Sequence, residues 1–276
     1  MTNPLKLDHN VLTHAIKDRN YVNSNIDLHV EELKIKGYTI VESGLDIKFL
    51  DYVRLRIDEI YKEQCENLGG ELNLEKINDK NIARAPSAHD KIFIDIAMNK
   101  PIHDICKRML GEYFILMSQN AIINKPGTDH YQFTWHRDLN YQHYTSSHPL
   151  ALSALLCIDP FSGKTGGTYV LEGTHLQKEF PSDQYVVKNQ IVVEAPIGSI
   201  IVFDSMLFHR TGLNQSNIIR RAVNHIITVP MIAQQYKFSS MVEHLGDFDE
   251  YTKRFLGSPV GTAISAFEWR KTRIDR

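Results

Sequence analysis

Histidine is the residue type that stands out for chemistry in this chain, with 13 among 276 residues. The imidazole ring is the commonest transition-metal ligand in proteins. Two histidines and one carboxylate on one face of a metal form a common redox site, and a His-x-Asp or His-x-Glu triplet on a strand can supply two of these ligands. Two such triplets occur, His29–Glu31 and His136–Asp138, which is close to what chance alone provides. The secondary structure around each triplet must therefore show which of the two can bind a metal.

The two triplets lie in segments with different periodicity. The first lies within Asp27–Lys36, which has helical spacing. On a helix, residues i and i+2 point about 200° apart, so this pair cannot converge on one ion, and we interpret it as solvated surface. The second follows Tyr131–Trp135, which predicts a strand. Because residues i and i+2 of a strand share a side, His136 and Asp138 can bind one ion. A surface histidine beside a turn aspartate is the alternative.

A third ligand must come from a later part of the chain. The later histidines are His143, His148, His175, His209, His225 and His244. His209 ends an apolar run that begins at Ile200, and Arg220, eleven residues later, opens the predicted strand Ala222–Val229. A metal ligand on one strand end and an arginine on the next would frame a pocket, in which the guanidinium holds a carboxylate by two hydrogen bonds. The spacing favours His209, and Arg220 as an ordinary surface cation stays the alternative.

The elements that must position these residues fall into two parts. Residues 1–111 are predicted to be mainly helical, with a long helix over Asp46–Leu68 capped by Asp46, and residues 71–88 are predicted to be a loop. From Tyr113 onward, short apolar runs separated by turn residues predict a β-sandwich or barrel. These predicted strands are Tyr113–Asn124, Tyr131–Trp135, Leu150–Ile158, Thr168–Glu172, Gln190–Glu194, Ser199–Phe203 and Ala222–Val229.

We therefore expect a single domain over residues 1–276, mainly β with flanking α. Its core would lie at residues 113–230, packed against the N-terminal helices, and residues 231–276 would form a C-terminal extension. The first ten residues lack an export-signal pattern. Three scattered cysteines without a CxxC pair fit a reducing compartment. We expect a cytoplasmic protein.

Composition excludes some classes of partner. The formal net charge is −2, whereas a nucleic-acid-binding protein usually carries a basic excess. The longest uncharged apolar run, Leu150–Ile158, spans nine residues, whereas a membrane-spanning helix needs about 20. We therefore expect a small-molecule substrate and neither nucleic acid nor membrane as partner. The pattern favours no particular oligomeric state.

Four motifs, taken in order, resemble the phytanoyl-CoA dioxygenase family of Fe(II)/2-oxoglutarate oxygenases. They are the turn Ile123–Gly127, the metal motif Trp135–Tyr141, the glycine-rich turn and following element Gly166–His175, and the block Gly198–Ala222 with the second histidine. The resemblance extends over residues 30–230, and its ordered set of motifs is specific. Two positions depart from the family pattern: Glu172 stands where proline is usual, and Leu155 stands near a frequent tryptophan of the cosubstrate wall.

The resemblance implies a double-stranded β-helix (jelly-roll, cupin-like) core with a mononuclear iron site. The implied metal ligands are His136, Asp138 and His209. Arg220 would bind the distal carboxylate of 2-oxoglutarate beside the Thr211 hydroxyl, and Gln119 would face this cosubstrate. The implied cofactors are Fe(II), 2-oxoglutarate and O2. The implied reaction is hydroxylation of an unactivated C–H bond of a metabolite or biosynthetic intermediate, with release of succinate and CO2.

Two other functional classes stay open. A metal-dependent jelly-roll isomerase or hydrolase, using zinc, manganese or nickel, would keep the three ligands and would not need Arg220. A non-catalytic binding module would keep the fold without the chemistry. Asp138 favours hydroxylation, because related halogenases have a small residue there that leaves room for chloride.

Overall fold

The computed structural model describes residues 11–128, 131–140, 142, 144–258, 263 and 265–274. Its strands are β1 (Tyr38–Glu42), β2 (Ile82–Arg84), β3 (Ile115–Asn124), β4 (Ala151–Cys157), β5 (Thr168–Val170), β6 (Ile191–Val192), β7 (Ser199–Asp204), β8 (His209–Thr211) and β9 (Arg220–Thr228). Its α-helices are α1 (Asn25–Lys36), α2 (Ile47–Asn67), α3 (Glu71–Lys76), α4 (Ile92–Ala97), α5 (Lys100–Leu110), α6 (Asp183–Asn189), α7 (Phe238–Met241), α8 (Glu250–Phe255) and α9 (Ala266–Ile274).

The strands form two antiparallel sheets. The larger sheet has the order β1-β7-β4-β9-β3-β2, and the smaller has the order β6-β5-β8. Ile122, Leu155 and Phe203 from the larger sheet pack with Val170 from the smaller one. This arrangement confirms the predicted mainly β fold with flanking helices. It also leaves the facing sides of the two sheets in position to build a site.

The N-terminal helices cover the other face of the larger sheet. In α2, the Asp46 carboxylate accepts a hydrogen bond from the Phe49 N–H at 2.8 Å and so caps the first turn. Leu50, Val53 and Ile57 follow at helical spacing and are fully buried, in a core that they share with β4 and β7. Because helices cover one face and the smaller sheet covers the other, β4 is buried at every position.

The prediction of a loop over residues 71–88 is wrong. This segment contains α3, β2 and a 3-10 helix at Pro86–Ala88. Leu74 and Ile82 are only 2% exposed, and β2 pairs with β3 at the edge of the larger sheet. Elements this short have too few residues for a periodic pattern, so tertiary contacts decide their structure.

Two expectations about the segments that carry the metal motif also need correction. Tyr131–Phe133 forms a 3-10 turn instead of a strand, and His136 pairs with His209 only in an isolated bridge. The apolar run from Ile200 does not reach His209 in one strand either. β7 ends at Asp204, and β8 begins at His209 in the smaller sheet.

His29, expected on the solvated surface, is half-buried instead. Its ring Nδ1 lies 2.8 Å from Thr39 Oγ1, so this histidine joins α1 to β1. In the described part of the chain, no helix combines the length and the apolar character that crossing a membrane requires.

Candidate metal centre

His136, Asp138 and His209 come together in the space between the two sheets. Nε2 of His136 lies 4.0 Å from Asp138 Oδ1, and Nε2 of His209 lies 3.7 Å from the same oxygen. One ligand atom of each residue lies within 4.8 Å of the others. Within the described ranges, no other set of histidine, cysteine and acidic side chains meets this criterion.

Backbone hydrogen bonds bring these distant parts of the chain together. The N–H of His136 donates to the His209 carbonyl at 3.0 Å, and the N–H of His209 donates back at 3.1 Å. The N–H of Asp138 donates to the Ser205 carbonyl at 3.0 Å. The segment with the first two ligands is therefore tied to the connection between β7 and β8.

The hydrogen bonds of the two rings leave their Nε2 atoms available. Nδ1 of His136 lies 2.9 Å from the Thr134 carbonyl, and Nδ1 of His209 lies 3.0 Å from the Leu207 carbonyl. Because a carbonyl can only accept, each Nδ1 carries a proton, so Nε2 is the ring nitrogen that is left to bind a metal. Burial, together with the neighbouring His136, lowers the pKa of His209 to about 4. Its ring is thus neutral near pH 7, as a metal ligand must be.

The Asp138 carboxylate is oriented by two residues that the sequence patterns did not reveal. Its Oδ2 accepts hydrogen bonds from the Ser153 hydroxyl at 2.5 Å and from Asn224 Nδ2 at 3.3 Å. The Ser153 hydroxyl is also 2.8 Å from the Ser205 hydroxyl, and both serines are fully buried. One sequence feature could have indicated the role of Ser153, which is the only hydroxyl-bearing residue in the apolar run Leu150–Ile158.

Arg220 opens β9 and lies in the same pocket as the three ligands. Its side chain is 1% exposed, and its guanidinium carbon lies 4.4 Å from the centre of the Phe161 ring. Nη2 donates to the Gly166 carbonyl at 2.8 Å, while Nε has no hydrogen-bond partner among the described residues. Burial lowers the pKa of Arg220 to about 10, so it still carries its charge near pH 7. A buried cation with an unused donor fits a carboxylate ligand.

The neighbouring Arg221 already has ion-pair partners within the protein. It forms ion pairs with Asp58 at 2.8 Å and with Asp159 at 3.3 Å. Asp159 also binds Arg54 at 2.9 Å. The charge that remains for a bound anion in this pocket is therefore that of Arg220.

A glycine-rich turn holds Arg220 in place. Gly166, whose carbonyl accepts from Arg220, has a φ of +73°. A Cβ atom at this position would lie 2.6 Å from Asn124 Nδ2, which donates to the Gly212 carbonyl at 2.9 Å. Only glycine combines this backbone conformation with this close approach. Thr211, in the adjacent β8, also lines the pocket, as does Leu155 at the position of the family's frequent tryptophan.

Gln119 does not lie with the other predicted site residues. Its side chain is fully buried on the helix side of the larger sheet, where Oε1 accepts from the Ser87 N–H at 2.9 Å. Its Nε2 donates to the Phe93 carbonyl at 2.8 Å and lies 3.1 Å from His225 Nδ1. With its amide used in this way, Gln119 is not a cosubstrate residue.

The donor set as a whole fits Fe(II) and 2-oxoglutarate. Two imidazole nitrogens and one carboxylate oxygen form the facial set typical of non-haem iron(II), which leaves further coordination positions for other ligands. The guanidinium of Arg220 and the hydroxyl of Thr211 suit the distal carboxylate of a diacid in the same pocket.

Comparison with known proteins points to the same chemistry. The family model "Phytanoyl-CoA dioxygenase (PhyH)" matches residues 33–222. The uncharacterized proteins Mb1539 of Mycobacterium bovis and Rv1501 of Mycobacterium tuberculosis are each 30% identical over 232 residues, which cover 82% of this chain and 82% of each relative. Dioxygenase hkm4 of Aspergillus hancockii is 27% identical over 154 residues, covering 52% of this chain and 48% of that protein.

A solved structure supports the fold. The crystal structure of EctD from S. alaskensis with 2-oxoglutarate and 5-hydroxyectoine is similar with a TM-score of 0.63 and 15% identity, over 77% of this chain and 79% of that one. At this identity the likeness shows the fold alone, and it confirms the predicted jelly-roll core. From the family match over most of its length, this chain belongs to the phytanoyl-CoA dioxygenase family and is an Fe(II)/2-oxoglutarate-dependent oxygenase.

Proposed function

We propose that this oxygenase hydroxylates an unactivated C–H bond of a small-molecule metabolite or biosynthetic intermediate. Its Fe(II) ligands would be His136, Asp138 and His209, and Arg220 would hold 2-oxoglutarate. One observation supports this most strongly: the three ligand atoms lie within 4.8 Å of one another in a pocket that also contains the buried guanidinium of Arg220.

The bound iron supplies the activation of O2, coupled to the conversion of 2-oxoglutarate to succinate and CO2. The protein supplies geometry and charge. His136 and His209 hold the ion between the two sheets, and Asp138 neutralises part of its charge. Arg220 and Thr211 orient 2-oxoglutarate through its distal carboxylate. The apolar wall of Ile122, Leu155 and Phe203 keeps water away.

Two features of the site favour hydroxylation. A carboxylate at position 138 occupies the coordination position that a halide would need in a halogenase. Arg220 favours use of 2-oxoglutarate, because an isomerase or hydrolase with the same three ligands has no need for a buried guanidinium.

The test combines Fe(II) and 2-oxoglutarate under anaerobic conditions. Wild-type protein should develop a weak visible charge-transfer band and, on exposure to O2, form succinate. Asp138→Ala should lose turnover, whereas Asp247→Ala, at an exposed position, should keep both the band and the turnover. A metal-loaded wild type that does not respond to 2-oxoglutarate would support the isomerase or hydrolase, and wild-type turnover in Asp138→Ala would refute the ligand assignment.

We also propose that the protein works in a reducing compartment such as the cytoplasm. Cys65, Cys106 and Cys157 are free thiols. Cys106 and Cys157 are fully buried, and burial raises the pKa of Cys157 to about 12. Thiols of this kind pack as small apolar groups.

A further inference from the structure

Two asparagine side chains face the metal site from adjacent strands. Asn120 in β3 and Asn224 in β9 are direct cross-strand partners, so their side chains share one face of the sheet, with Cβ atoms about 4.5–5.5 Å apart. This face carries the site, because Asn224 lines the pocket and its Nδ2 lies 3.3 Å from Asp138 Oδ2. The asparagine pair is therefore next to the proposed metal ligands.

Hydrogen bonds fix which end of each amide is available. Asn224 uses its nitrogen to donate to the Asp138 carboxylate. The nitrogen of Asn120 donates to the Ser118 hydroxyl at 3.2 Å, and that hydroxyl donates in turn to Gln235 Oε1 at 2.5 Å. Each amide nitrogen thus has a hydrogen-bond acceptor within the protein. The two Oδ1 atoms are buried, and neither has a hydrogen-bond partner among the described residues.

These two oxygens accept hydrogen bonds, so the group that faces them must donate. 2-Oxoglutarate cannot serve, because its carboxylates and its keto oxygen only accept. A hydrocarbon or acyl chain cannot serve either, since it would leave both buried oxygens unpaired. The donors must come from the molecule that is oxidised.

On the basis of the proposed function, we infer that the substrate is a polar small molecule that presents hydroxyl or N–H groups to Asn120 and Asn224, beside the carbon that is oxidised. Asn120 would contact substrate through Oδ1, and its hydrogen bond within the protein goes to Ser118 and not to a metal ligand. Asn224 both contacts substrate and orients Asp138, so binding of the substrate is linked to the position of a metal ligand.

The first experiment compares compounds on the full-length protein loaded with Fe(II) and 2-oxoglutarate. The probes are sugars, cyclic polyols and amino alcohols, each beside its O-methyl or N-methyl derivative, together with fatty acids and acyl-CoA thioesters. Donor-bearing compounds should stimulate succinate formation, and methylation of the donor should lower kcat/KM by about tenfold to a hundredfold. Stimulation by fatty acids or acyl-CoA thioesters, or no stimulation by any donor-bearing compound, would overturn the inference.

The second experiment removes one acceptor. Asn120→Leu keeps the approximate size of the side chain without the amide, and it should raise KM for the best donor-bearing compound at least about tenfold. Asn120→Asp keeps an acceptor oxygen and should recover part of the loss. Asn67→Leu, at an exposed position of α2, is the matched control. The thermal midpoint of each variant shows whether it is folded.

The two proposals fail in different ways. If wild-type protein forms no charge-transfer band with 2-oxoglutarate, the proposed function fails. If the band forms and folded Asn120→Leu has the KM of the wild type, the proposed function stands and the inference about the substrate is wrong.

Discussion

The hydroxyl of Ser153 donates to Asp138 Oδ2 at 2.5 Å, so the carboxylate turns its other oxygen towards the imidazoles of His136 and His209. Ser153 lies in the central strand β4 and is fully buried. Its position is fixed by strands on both sides, since it pairs with Phe203 in β7 and with Ile226 in β9. The larger sheet therefore sets the orientation of a metal ligand through a residue that does not contact the metal.

Ser153→Ala should weaken metal binding. Loss of the hydrogen bond lets the carboxylate rotate, and changes of this kind lower metal affinity by about tenfold to a hundredfold. Anaerobic titration with Fe(II) or Mn(II) measures the effect. Ser240→Ala, at an exposed position, is the control. An affinity equal to that of the wild type would show that Asp138 needs no support from Ser153.

Arg220→Ala should weaken binding of 2-oxoglutarate with little effect on binding of the metal. Loss of a buried charged hydrogen-bond partner costs about 2–5 kcal/mol, which raises the dissociation constant by at least about thirtyfold. Titration of the charge-transfer band with 2-oxoglutarate gives this constant. Arg220→Lys keeps the charge, so its dissociation constant should lie between those of the wild type and Arg220→Ala. Arg270→Ala, at an exposed position, is the control. An unchanged dissociation constant in Arg220→Ala would show that another cation binds 2-oxoglutarate.

Gly166→Ala and Gly44→Ala separate close packing from backbone conformation. Both glycines have a φ of +73°, but a Cβ atom at Gly44 would meet nothing within 4 Å, whereas at Gly166 it would lie 2.6 Å from Asn124 Nδ2 and 2.9 Å from Asn214 N. We expect a loss of about 1 kcal/mol in the free energy of unfolding for Gly44→Ala and about 3 kcal/mol or more for Gly166→Ala. Urea unfolding measures both values. Equal losses would show that the turn tolerates a side chain.

Asp204→Asn should change the pH dependence of stability. Burial raises the pKa of Asp204 from 3.8 to about 6 in the folded protein, so the native carboxyl holds its proton more tightly than the unfolded one. The contribution of this group to the free energy of unfolding is therefore fully present below about pH 4 and is lost as the pH rises through about 6.

Asparagine lacks this titration and can still accept from the Met206 N–H, as Asp204 does at 2.8 Å. The variant should thus match the wild type near pH 4 and exceed it by up to about 3 kcal/mol near pH 8. Denaturant unfolding at the two pH values measures the difference, with Asp247→Asn at an exposed position as control. A difference that does not change with pH would contradict the prediction.

The proposed metal ligands and Arg220 could be predicted from short motifs and their spacing along the chain. His136 and Asp138 were candidates because they are two residues apart, although backbone bonds to His209 and Ser205 position them instead of a strand, and Arg220 marks the start of a strand. The hydrogen bonds of Ser153 and Asn224 to Asp138 could not be predicted in this way. They depend on the register between β4, β7 and β9.

Gln119 shows a second limit of the sequence analysis, which is the side of a strand to which a residue points. Its face depends on the irregularity in β3 between Leu116 and Ser118, where the pairing with β9 shifts. Such a shift exchanges the sides to which later residues point. A pattern of polar and apolar residues does not reveal where it occurs, so the expectation that Gln119 faces the cosubstrate was wrong.

The reciprocal hydrogen bonds between His136 and His209 join backbone groups only, so they use none of the ring nitrogens. They hold the two rings side by side, with centroids 4.3 Å apart, by the same kind of hydrogen bond that holds the sheets together. Because these backbone contacts do not involve the metal-binding atoms, we expect an ion removed by chelation to be replaceable in the folded protein.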